Sequence, residues 1–188
     1  FNFNPSTPYA NSRASTDFHL LNLFRYYNFP VIFTRAANVY GPGQQLYRIV
    51  PKAILSLKLN RKLHLDGGGK SKRSFIYITD VCNATYKLCK KSINGEVYHI
   101  STSRLISVKD LVEMIFKLKK ISLKNHVKIS SDRIGKDSLY SLSSKKIKSE
   151  LNWKPEINLK DGLLKTLEWA EKNINILKNQ PDKYIHKK

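Results

Sequence analysis

The sequence predicts an α/β fold. Short β-type runs alternate with helical patterns along most of the chain, hydrophobic residues make up 41% of it, and Gly or Pro punctuates several of the joins. With 188 residues the chain can bury one sizeable core, or one domain together with part of a neighbour. No segment approaches the run of about 18 apolar residues that a membrane span needs, so no membrane partner is expected.

Between Tyr9 and Asn28, the residues Ala14, Phe18, Leu21 and Phe24 fall at helical spacing with no internal Gly or Pro, which predicts a helix entered from Pro5-Ser6-Thr7-Pro8. After Pro30, Val31 to Arg35 reads as a short buried strand leading to the Gly41-Pro42-Gly43 turn. Ile49 to Leu59 suits a helix, Gly67-Gly68-Gly69 a flexible loop, and Phe75 to Ile78 a strand. Thr79 or Asp80 is placed to cap a helix reaching Lys91. Gly95 precedes a strand from Val97 to Ser101. Ser107, with Asp110 three residues on, resembles a capping box opening a helix through Lys120.

Val127 to Ile129 is then a strand and Ser143 to Leu151 a short helix. Leu159 to Leu177 is a longer helix carrying Leu163, Leu164, Leu167, Ala170 and Ile174. Residues 179–188 are polar and basic, a surface tail with Tyr184 and Ile185 as anchors. No repeat, low-complexity linker or heptad array interrupts the alternation.

The charge is +20, from 34 Lys and Arg against 14 Asp and Glu. Such an excess suits nucleic acid, an anionic membrane or a phosphorylated substrate. The lysines are scattered, however, and seldom interleave with aromatics as a strand-binding groove requires, so no nucleic-acid partner is expected. Cys82 and Cys89 share a helical face without the close pairing of a zinc site and read as buried thiols. The five histidines show no ligand spacing, and His99 reads as a core residue, so no metal site is expected. Gly67-Gly68-Gly69-Lys70 lacks the spacing of a phosphate loop.

Tyr9 and Arg13 stand four apart near a helix start, so both project to one face, where a cation can lower a phenol's pKa. Around them run P-S-T-P-Y-A-N-S-R-A-S-T-D, then T-R-A-A-N-V-Y-G-P-G-Q-Q, then G-G-G-K-S-K-R-S-F-I-Y-I-T-D-V. Tyr98-His99-Ile100-Ser101, R-I-G-K-D from Arg133, and L-N-W-K-P before G-L-L-K-T-L-E-W follow in the same order. In these motifs the chain resembles the extended short-chain dehydrogenase/reductase family, NAD-dependent epimerases and dehydratases, most closely its nucleotide-sugar 4,6-dehydratases.

The resemblance implies NAD as cofactor, a nucleoside diphosphate sugar as substrate, a homodimer and a cytoplasmic setting. It implies that Tyr9 takes the proton of the sugar's 4-hydroxyl, and that the residue four on holds the nicotinamide ribose. That residue is normally lysine; here it is Arg13, whose planar fork does not imitate a compact ammonium, so weakened turnover is expected. Ala36 and Asn38 are expected beside the cofactor, with Asn38 also on the substrate. Arg73 is expected to clamp phosphate, with Ser74 replacing the usual aspartate; Arg133 and Asp137 are expected to hold a phosphate and a ribose hydroxyl.

The expected fold is then the C-terminal part of a Rossmann-like doubly wound domain plus a smaller α+β substrate-binding domain. Residues 1–48 would be the remnant of the first. Residues 49–178 would be mainly the second, with a returning strand near 75–101. The opening Phe1-Asn2-Phe3 reads as an interior cut, since the G-x-G-x-x-G fingerprint is absent and so is the Thr-Asp-Glu segment that the resemblance puts before Tyr9. A 4,6-dehydratase is the leading reading. A 4-epimerase or decarboxylase on the same scaffold, and a non-catalytic nucleotide-sugar binder, remain the alternatives.

Overall fold

A computed structural model describes residues 3–91, 94–132 and 137–184. Helix α1 (Pro8–Tyr27) starts where Thr7 Oγ1 accepts the Ala10 N–H at 3.1 Å and Pro8 takes the first turn. It stops at Asn28 in the left-handed region (φ 53°), where the Asn28 and Phe29 amides return to the Phe24 and Leu23 carbonyls.

The chain next runs extended from β1 (Phe33–Ala36) through Ala37 into β2 (Asn38–Tyr40), and the two halves serve different partners. β1 pairs in parallel with β6 (Val97–Ile100), whereas β2 pairs in parallel with β5 (Phe75–Tyr77). The switch falls at one peptide: the Ala37 N–H donates to Ile100 O at 2.9 Å and the Asn38 N–H to Ser74 O at 3.2 Å. β3 (Leu63–Asp66) pairs in parallel with β8 (Val127–Ser130). A small sheet sets β4 (Lys72–Arg73) between antiparallel β7 (Ile106–Ser107) and parallel β9 (Leu139–Tyr140).

Two cores organise the helices. Buried Tyr40, Leu46, Val50, Ile54, Leu111, Ile115, Phe116, Leu163 and Leu167 join α2 (Ile49–Lys58), α4 (Val108–Leu118) and α6 (Leu159–Lys172) over β3 and β5. Ala37, Ile76, Ala84, Leu88, Tyr98, Ile100, Ile147 and Trp153 join α3 (Ile78–Lys91) and α5 (Lys145–Leu151) to the β1–β6 ladder. Gly162 lets α6 close on the first core, because a Cβ there would collide with the Tyr40 hydroxyl.

Several elements differ from the sequence expectation for identifiable reasons. α3 begins at Ile78, directly after β5, so neither Thr79 nor Asp80 caps it. The Asp80 carboxylate is buried and accepts the Glu156 and Ile157 amides at 2.9 and 3.2 Å. The expected helix from Leu159 to Leu177 is two, α6 and α7 (Ile174–Leu177), because Asn173 leaves helical geometry and its Nδ2 binds the Trp169 carbonyl at 2.8 Å. Gly67-Gly68-Gly69 forms a tight 3-10 turn with φ of 59°, 68° and 69° in place of a flexible loop. Cys82 and Cys89 are exposed, since α3 buries the stripe of Asp80, Ala84 and Leu88 instead. Ser107 does cap α4, accepting the Asp110 N–H at 3.0 Å.

Candidate functional site

The β1–β2 switch fixes the candidate site. Asn38 opens β2 opposite Phe75, and its Nδ2 donates to the same Ser74 carbonyl that takes its main-chain N–H, each bond 3.2 Å. One amide hydrogen and Oδ1 of Asn38 have no hydrogen-bond partner among the described residues. A half-held carboxamide of this kind presents one donor and one acceptor.

Arg73 precedes Ser74 in the chain, and its Nη2 donates to the main-chain carbonyl of Asp137 at 3.1 Å. That bond draws the strand β4 and the exposed Asp137 together, with the Asp137 carboxylate outside it. Arg133 lies outside the described residues. Ala36 is half-buried at the end of β1, opposite Ile100. Asn38, Arg73 and Asp137 thus lie along one connected path through Ser74.

Tyr9 and Arg13 form a separate group on the first turns of α1, both exposed, Tyr9 to 76%. Among the described residues, no hydrogen bond or ion pair joins either to Asn38, Arg73 or Asp137. Their helix docks next to Ala36 through its neighbour: Arg35 pairs with Asp17 of α1 at 2.9 Å and stacks over the Phe3 ring at 5.1 Å. Farther along α1, the Phe24 ring fills the space a side chain at Gly95 would need. Ala14 is the one buried residue of α1, which leaves Phe18, Tyr26 and Tyr27 exposed along with Tyr9.

The electrostatics separate the tyrosines by role. Burial, with the charges of Tyr77, Asp80 and Asp161 behind it, pushes the Tyr40 phenol far above its ordinary range, and burial also raises Tyr77. Tyr98 is pushed up to about 12 by burial and by its bond to Glu150, 2.7 Å from the phenol oxygen. Tyr40 and Tyr98 stay protonated and donate, Tyr40 to the Leu159 carbonyl at 3.3 Å and Tyr98 to Glu150. His99 faces Arg35 across the β1–β6 ladder, half-buried, and loss of water followed by the Arg35 charge lowers its pKa.

Two polar groups near the switch carry no local signal of their contacts in the sequence. Gln44 Nε2 ties the Gly-Pro-Gly turn to the Val39 carbonyl at 2.7 Å, with Oε1 buried and without a partner among the described residues. Ser101, wholly buried, meets Ser74 Oγ at 2.8 Å. A serine at a strand end gives no local signal of such a contact; only its position in the Tyr-His-Ile-Ser motif hinted at a role.

No described helix is long and apolar enough to cross a membrane, and the described residues hold no cluster of three or more metal-ligating side chains. The profile of the GDP-mannose 4,6 dehydratase family matches residues 1–166. A dTDP-D-glucose 4,6-dehydratase from Homo sapiens is 38% identical over 180 residues, covering 93% of this chain and 51% of that protein. The dTDP-glucose 4,6-dehydratase of Bacillus anthracis, solved in complex with NAD, superposes with a TM-score of 0.87 at 33% identity, over 93% of this chain and 55% of its own. That of Streptomyces venezuelae, also solved with NAD, gives a TM-score of 0.88 at 29% identity over 93% and 54%. The chain spans about half the length of the curated relatives it matches. With the strand switch, the Tyr9 helix and the Arg73 strand in the order its motifs require, the chain belongs to the GDP-mannose 4,6 dehydratase family, within the Rossmann-type dehydratases and epimerases.

Proposed function

We propose that this chain supplies the substrate side, and the tyrosine of the active site, of an NAD-dependent nucleotide-sugar 4,6-dehydratase. The whole enzyme would convert a nucleoside diphosphate hexose to the 4-keto-6-deoxy sugar and water. The observation that carries the reading is the path from Asn38 through Ser74 to Arg73 and Asp137 at the strand switch, in a chain 38% identical to a dTDP-D-glucose 4,6-dehydratase.

In this reading Arg73 and Arg133 bind the diphosphate, for which a guanidinium fork is suited. The free donor and acceptor of Asn38 orient the sugar, and Asp137 takes a ribose hydroxyl. Tyr9 accepts the proton of the 4-hydroxyl. Arg13, one turn along the same face, meets the nicotinamide ribose.

The residues present fit NAD in donor chemistry. Tyr9 and Arg13 offer an exposed hydroxyl and an exposed cation one helical turn apart, and Ala36, two residues before Asn38, is small. NAD held there would supply a hydride acceptor and donor for the sugar. Residues 1–48 belong in this reading to the cofactor domain, 49–178 mainly to the substrate domain, and 179–188 to a tail. The enzyme is a cytoplasmic homodimer, the exposed Phe18, Tyr26 and Tyr27 of α1 being the apolar surface a partner subunit would cover.

Tyr9→Phe in the intact parent enzyme tests the assignment. It is expected to lower kcat at least about a hundredfold, the range of a lost general base, while dTDP-glucose affinity is retained. Unchanged kcat would remove Tyr9 from the chemistry.

A further inference from the structure

Ser74 departs from the motif that surrounds it, and its surroundings show what the hydroxyl is for. Ser74 is 1% exposed and Ser101 0%. Ser101 Oγ donates to the Thr102 carbonyl at 3.0 Å. A hydroxyl has one proton, so in the 2.8 Å contact between the two serines Ser74 must be the donor. The bonds therefore run in one direction, from Ser74 Oγ to Ser101 Oγ to Thr102 O. Thr102 Oγ1 in turn donates to the Phe75 carbonyl at 3.3 Å, closing a loop between the start of β5 and the end of β6.

Both hydrogen bonds that Asn38 is seen to donate end on the Ser74 carbonyl. The peptide that carries that carbonyl is located by its own side chain, through Ser101. An aspartate at 74 has no proton to give at neutral pH; it could only accept from Ser101, and the directed chain would be broken. A third buried hydroxyl, Ser144 Oγ, donates to the Ser101 carbonyl at 3.0 Å and takes no part in the relay.

We infer that Ser74 and Ser101 are positioning residues, a buried hydroxyl relay that sets the Asn38 carboxamide at the strand switch for the ligand. The ligand assignment rests on the reading of Asn38 as a sugar-nucleotide contact; the relay itself does not. It acts through the Ser74 main chain, so the geometry of Asn38 depends on a residue that never meets the ligand.

The test uses the 15N-labelled chain. The Asn38 side-chain amide pair is identified as the one lost in Asn38→Ser, and its solvent exchange is compared in the parent chain, Ser74→Ala, Ser101→Ala and Ser144→Ala. Exchange about tenfold faster in Ser74→Ala and Ser101→Ala is expected, the factor that one net hydrogen bond is worth, with Ser144→Ala unchanged. Unaltered exchange in the first two overturns the inference. Equal acceleration in all three also overturns it, because that is general loosening of the core. Ser74→Ala leaves Ser101 its bond to Thr102, and it carries the comparison alone if Ser101→Ala does not fold. Addition of dTDP-glucose separates the two ideas. A shift of the Asn38 pair in the parent chain supports the ligand assignment, whereas no shift alongside accelerated exchange sinks that assignment and leaves the relay standing.

Discussion

In the proposed reading, Arg13 is the residue at which this chain departs from the lysine that its family resemblance implies. A guanidinium keeps the charge but spreads it over a plane, and its five donors do not reproduce one compact ammonium at a ribose. Arg13→Lys in the intact enzyme is therefore expected to raise both turnover and NAD affinity; equal values in the two proteins would show that arginine serves the position as well. Asp80 makes a different case. Its two carboxylate oxygens hold the amides of Glu156 and Ile157 ahead of α6, so Asp80→Ala strands two donors. The expected loss is about 3 kcal/mol of unfolding free energy by urea titration, at the level of two unmade bonds to a charged acceptor. A loss under about 0.5 kcal/mol would mean that water replaces the carboxylate without penalty.

At the scale of elements, three helices meet on one carboxylate. Glu171 of α6 accepts Lys58 of α2 at 2.9 Å and Lys119, which follows α4, at 2.7 Å. The Lys119 and Lys58 bonds hold its pKa below the ordinary 4.5 against the opposing effect of burial. A depressed carboxylate contributes stability that is fully present above the unfolded pKa and is lost as pH falls through the folded one. Glu171→Gln should thus cost about 1 kcal/mol at neutral pH, the scale of a partly exposed ion-pair network. The deficit should shrink on acidification below about pH 4.5; one that stays constant with pH would rule out the ionic origin.

Elements were legible in the sequence where their signals were local. Ser107 and Asp110 mark the start of α4, and Thr7-Pro8 and Asn28 bracket α1. The start of α3 was not legible, because Asp80 spends its carboxylate on a loop 76 residues away. Nor was the break at Asn173, where a side-chain bond to Trp169 competes with the helix. The same division holds for the site. Asn38 and Arg73 stand out by motif, whereas the partners that orient them, a carbonyl at Ser74 and another at Asp137, are main-chain groups that no sequence pattern displays. Ser101 is marked only by its place in the Tyr-His-Ile-Ser motif, because the side chain it meets, Ser74, lies 27 residues away.

Across the whole molecule, one extended run from Phe33 to Tyr40 ties two cores together, pairing first with β6 and then with β5. α1 contributes no residue to either core: Ala14 is its one buried residue, Asp17 pairs with Arg35, and Tyr9 lies on an exposed face. Tyr9 and the path through Asn38, Ser74 and Arg73 thus stand on separate elements. A sugar nucleotide beside a nicotinamide would have to meet both groups. The most direct measurement is mass analysis of dTDP-glucose incubated with the intact parent enzyme and NAD. The predicted result is a product lighter by one water that carries a 4-keto group. A sugar recovered with its mass unchanged and its carbon 4 inverted would instead establish a 4-epimerase and contradict the dehydratase reading; no binding and no conversion would contradict a nucleotide-sugar site altogether.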